Sequence, residues 1–87
     1  MNTEDQIRQC LATLAPEHLD LNDDSALHAG HVGAQGGGAH YSVTIVSAAF
    51  AGQSTVARHR LVYRALGALM QHEIHALALR AIAPNEL

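Results

Sequence analysis

From His40 to Ser47 the chain alternates, with Tyr41, Val43 and Ile45 on one side and His40, Ser42 and Thr44 on the other. A period of two fits a strand with one buried face and one open face. The rest of the chain must therefore supply elements that cover only the apolar side. His18 to Asn22 repeats the pattern in shorter form, setting Leu19 and Leu21 against His18, Asp20 and Asn22. These two segments are expected to pair antiparallel. Ile74 to Ile82 is a near-continuous apolar run that stops before Pro84. It reads as a third strand of the same sheet, covered on one face and hemmed by neighbours, with His75 on the face of Leu77 and Leu79.

The covering elements are two amphipathic helical regions. Thr3 and Gln6 have the spacing of a capping box, and Glu4 and Asp5 complement the helix dipole. Ile7, Cys10, Leu11 and Leu14 then form one apolar stripe, which Pro16 ends. After a turn at Phe50, Gly52 and Gln53, Ser54 is the expected N-cap of a second region running to about Met70. Leu61, Val62, Ala65, Leu66 and Leu69 give that region its apolar face, and Gly67 interrupts it at a cost of about 1 kcal/mol. With 87 residues there is room for one core only, so residues 1–87 read as a single domain. The fold class is α+β, an αββααβ sandwich whose three-stranded sheet carries its helices on one face. Aromatic residues are 3% of the chain, so the core is built chiefly from Ile, Leu, Val and Ala.

Composition narrows the chemistry. The formal charge is −3 and there is no lysine, so the molecule lacks the broad positive field that drives non-specific binding to phosphates. Cys10 is the one cysteine and cannot close an internal disulfide. It sits in the apolar stripe and reads as a buried core thiol. No apolar run approaches the roughly 18 residues of a membrane span and no signal-peptide pattern opens the chain, so the reading is cytoplasmic. No G-x-S-x-G, Walker loop or paired carboxylate site is present, and Gly36 to Gly38 lack the Lys and Ser/Thr of a phosphate cradle. The chain therefore reads as a non-enzyme. Histidine is the exception, at seven residues. Two of them, His28 and His31, fall in the segment from Asp23 to Ala39, which holds five of the seven glycines and is long for a connection in a compact domain.

Three stretches together point to a family: DDSALHAGHVGAQGGGAHYSVTIVS (Asp23 to Ser47), FAGQSTVARHRLVYRAL (Phe50 to Leu66) and EIHALALRA (Glu73 to Ala81). The combination of Phe-x-Gly turn, RHRLV segment and IHAL strand resembles the BolA proteins, across essentially the whole chain. That resemblance implies a fold like class II KH domains. It also implies a partner, a monothiol glutaredoxin, with which the chain would share a bridging [2Fe-2S] cluster or form an apo complex in iron-sulfur trafficking. By position, the family's C-terminal histidine ligand falls on His75. The second ligand would come from the loop, at His28 in HAGH, with His31 and then His40 as rivals. The partner and glutathione would supply the remaining ligands, so the isolated chain, expected to be a monomer, would carry half a site.

Other readings are weaker. His28 with His31, and His72 with His75, each show HxxH spacing, but a four-histidine zinc site lacks the cysteine or carboxylate such sites usually include. His72, Glu73, Ile74 and His75 fall one residue short of HExxH. The alternative function is a KH-like, nucleic-acid-binding transcriptional regulator that contacts phosphates through Arg58, Arg60 and Arg64. The turn at Gly52 lacks the GXXG clamp of KH domains, so binding to DNA would be weak and secondary. His59, at the margin of the second helical region, reads as a structural side chain that fixes a turn by hydrogen bonding.

Overall fold

The structure, a computed structural model, describes residues 2–24 and 39–87. His28 and His31 lie outside the described residues. In chain order the elements are α1 (Thr3–Leu11), β1 (His18–Asp23), β2 (Ala39–Val46), α2 (Thr55–Leu66) and β3 (Ile74–Ile82). Short 3-10 turns occupy Ala12–Leu14, Ala48–Phe50, Gly67–Met70 and Pro84–Glu86. The architecture is α+β, with one three-stranded sheet in the order β1, β2, β3. β1 and β2 are antiparallel, from His18 opposite Val46 to Asp23 opposite Tyr41. β2 and β3 are parallel, which requires a crossover, and α2 provides it.

Alternation along the strands sets the two faces of the sheet. Leu21, Tyr41, Val43 and Ile45 turn to one side, where they meet Ile7 and Leu11 of α1 and Val62 and Leu66 of α2 in one buried cluster. Asp20, Asn22, His40, Ser42 and Thr44 fall on the other side by the same period. Both helices thus spend their apolar stripes on the same face. Among the described residues no helix is long and apolar enough to cross a membrane.

Several local features depart from the sequence reading. The cap of α1 is Asn2, whose side-chain oxygen accepts from the Asp5 amide at 2.8 Å, so the helix starts one residue earlier than the Thr3–Gln6 spacing implies. Ser54 caps α2 as expected, accepting from the Ala57 amide at 3.1 Å. The second helical region ends at Leu66, because Gly67 adopts φ 56 and ψ −127, and Gly67–Met70 forms a 3-10 turn in place of further α-helix. Among the described residues β3 is not hemmed on both sides: it ends the sheet and pairs with β2. Cys10 is half-buried at the margin of the core instead of inside it. Phe50 is fully buried, carried inward by its 3-10 turn. The buried Ser47 ties that corner together, donating to the Leu14 carbonyl at 2.6 Å and accepting from the Ala49 amide at 3.1 Å.

Candidate functional site

The register between β2 and β3 is broken at one point. Ala39 is opposite Ile74, yet His40 is opposite Ala76, so His75 is the extra residue of a β-bulge. Unbroken alternation would have put His75 on the core face with Leu77 and Leu79. The bulge corrects that expectation: Ile74 takes the core position, at 3% exposure, and His75 is exposed. Its ring stands beside that of His40, with centroids 5.3 Å apart and planes inclined by 51°. His40 is half-buried. Two histidines far apart in sequence thus meet at the N-terminal end of the parallel strand pair.

The surroundings of His40 are pinned by Asp24, the residue that follows β1. The Asp24 amide donates to the His40 carbonyl at 2.7 Å, and the Ser42 hydroxyl donates to the Asp24 carboxylate. Asp24, His40, Tyr41, Ala76, Leu77 and Ala78 line a groove of about 260 Å³. Burial, reinforced by the nearby Asp23 carboxylate, pushes the Tyr41 phenol above its ordinary range. Ala76 and Ala78 leave this side of the strand low, so a visiting group meets little steric resistance. Among the described residues no set of three or more His, Cys, Asp or Glu side chains is placed to hold a metal ion.

The other histidines among the described residues lie elsewhere. His18 lies 3.0 Å from the Asp20 carboxylate on exposed β1. His59 packs edge-on against Tyr63 one turn along α2, with centroids 6.2 Å apart, and that ring contact replaces the turn-fixing hydrogen bond expected of it. His72 is exposed in the turn before β3.

The arginines divide in two. Arg60 and Arg64 are exposed on α2. Arg58 is committed within the fold: Nη1 and Nη2 donate to the two Glu86 carboxylate oxygens at 2.6 and 2.7 Å. Its Nε donates to the Gln53 carbonyl at 2.9 Å and Nη1 also to the Ala81 carbonyl at 3.1 Å. This fork, together with the Ala83 amide, holds the Glu86 carboxyl down at about 2. Arg58 would have to leave these partners to reach a phosphate. The signal for this role was available only in three dimensions, because Arg58 and Glu86 are 28 residues apart.

Comparison with known proteins fits this geometry. The family described as BolA-like protein matches residues 11–86. The chain belongs to the BolA family. It is 41% identical over 73 residues to BolA-like protein 1 from Mus musculus, covering 84% of this chain and 51% of that one. It is 40% identical over 79 residues to SufE-like protein 1 of Arabidopsis thaliana, covering 85% of this chain and 21% of the relative. The solved BolA domain of SufE1 from Arabidopsis thaliana superposes with a TM-score of 0.84 at 38% identity, covering 100% of this chain and 99% of the domain. A DNA-binding transcriptional regulator BolA from Haemophilus influenzae is 37% identical over 71 residues, covering 82% of this chain and 66% of the regulator. The chain thus spans from a fifth to two thirds of the length of these curated BolA relatives.

Proposed function

We propose that this BolA chain is a non-enzymatic adaptor of iron-sulfur cluster assembly and trafficking, which binds a monothiol glutaredoxin and co-ligates a bridging [2Fe-2S] cluster through histidine. The observation that carries the reading is the bulge at His75, which takes an imidazole off the core face and stands it exposed at the end of the sheet. The donor chemistry fits, since imidazole replaces thiolate on one iron of a [2Fe-2S] unit in known centres and tunes its potential. When bound, the cluster supplies redox and cluster-transfer chemistry. The chain's own part is to present an imidazole on a strand and leave room beside it for a partner. The occurrence of a BolA domain within a SufE-like protein is consistent with this placement.

The test is reconstitution with a monothiol glutaredoxin, glutathione, iron and sulfide under reducing conditions, followed by visible absorption and circular dichroism. The expected result is a heterodimer whose spectrum differs from that of the glutaredoxin homodimer, with the difference abolished in His75→Ala. His28→Ala and His31→Ala, made separately, report on the loop. Spectra identical with and without this chain would refute the proposal.

A second reading, DNA binding, is favoured by exposed Arg60 and Arg64 and by the regulator named among the relatives. The net charge of −3 predicts low affinity. Steep weakening of binding to a promoter fragment with added salt, removed in the Arg60→Ala/Arg64→Ala double variant, would support it, and no binding at low salt would sink it.

A further inference from the structure

The outer side of β3 carries a defined bonding pattern. The Ile82 carbonyl accepts from the Ser47 amide at 3.0 Å, so it points toward β2. The register is unbroken from Ala76 to Ile82, and the backbone groups of successive residues alternate between the two sides of a strand. The amides and carbonyls of Leu77 and Leu79 therefore turn away from β2. Among the described residues no strand pairs with them. The side chains match this opening. Leu77 and Leu79 pack against the core yet are only half-buried, so a strand beside β3 would close the core face over them. On the opposite face Arg80 is exposed, and among the described residues it makes no ion pair.

We propose that β3 is a docking edge for an extended segment of a partner protein whose sequence reads acidic, apolar, any residue, apolar. The segment adds antiparallel, because only that arrangement lets one of its residues bond both backbone groups of Leu77 or of Leu79. Its two apolar residues face Leu79 and then Leu77, and their side chains continue the core face. Its acidic residue then falls opposite Arg80, where a cross-strand pair of opposite charge is favourable. The residue between the apolar two faces Ala78, whose small side chain leaves space for a large one beside the groove. A second copy of this chain fits less well. Turned about Ala78 it sets Leu77 against Leu79, but it puts Arg80 against Ala76 and leaves both charges unmet. The inference uses no histidine and stands apart from the proposed function.

The probe is the synthetic peptide Thr-Thr-Glu-Val-Thr-Val-Thr, added to the ¹⁵N-labelled chain and followed by amide hydrogen exchange. The expected signature alternates: the Leu77 and Leu79 amides slow, while those of Ala78 and Arg80, which face β2, keep their rates. N-methylation of both valines removes the donors that the Leu77 and Leu79 carbonyls require and should abolish binding. N-methylation of the threonine between them, whose amide points away from β3, should not. Arg80→Glu should weaken binding about two- to fivefold and turn the preference toward a peptide with Lys in place of Glu. Thermal unfolding verifies that this variant is folded. Absent or uniform protection, or binding indifferent to which residue is methylated, overturns the inference. Protection of Leu77 and Leu79 that grows with the chain's own concentration and not with peptide makes a second copy the occupant and overturns it as well.

Discussion

Gly67 invites a substitution whose sign separates two arguments. Read as part of a helix interior, the glycine costs about 1 kcal/mol, and Gly67→Ala should stabilise. The structure places it past the end of α2 at φ 56 and ψ −127, a conformation that an L side chain adopts only under strain. A β-carbon at this position meets no neighbouring atom within 4 Å, so tertiary crowding contributes nothing and the whole effect is in the backbone. Strain of this kind costs about 1–3 kcal/mol, and each kcal/mol is worth about 4–8 °C in Tm for a domain of this size. Gly67→Ala is therefore expected to lower Tm by at least about 4 °C in calorimetry. Ala68→Gly, in the exposed turn one residue on, serves as a control for general loosening. An unchanged or raised Tm in Gly67→Ala would refute the backbone argument and restore the helical one.

Phe50→Ala empties a fully buried ring site and should cost about 3–5 kcal/mol by urea denaturation. Ser47→Ala leaves the Leu14 carbonyl and the Ala49 amide without this partner, and a loss of about 1–3 kcal/mol is expected in the same assay. Asn2→Ala removes the cap of α1, with an expected cost of about 0.5–2 kcal/mol, largest in amide exchange of the first helical turn. The Glu86 carboxyl is held near 2 against an ordinary 4.5, so its contribution is complete above about 4.5 and disappears as pH falls toward 2. Glu86→Gln should be less stable than the parent at neutral pH and should lose less stability across that acid range, as followed by thermal melts.

The element order and the strand limits at His18 and at Ile74–Ile82 were legible because alternation and helical stripes are local patterns. Ser54 was equally legible, since capping needs only the next three residues. The bulge was not. Ile74 and His75 offer no local sign of a register break, and the choice between them for the core is made by pairing with Ala39 and His40 on a strand remote in sequence. That is why the sequence assigns His75 to the core face. Arg58 illustrates the same limit, because its neighbours on α2, Arg60 and Arg64, have the same residue type and helical surroundings. Only the return of the C-terminal turn to α2 sets it apart.

Among the described residues the sheet stops at a nine-residue strand, an edge whose amides and carbonyls another polypeptide could extend. The Ile82 carbonyl is taken by the Ser47 amide on the β2 side, so the Ala81 carbonyl points outward, and the Arg58 guanidinium sits on it. A foreign strand zipping along β3 from Leu77 would meet a charged stopper there. The same side chain that holds Glu86 thus also occupies an edge carbonyl that an added strand would need.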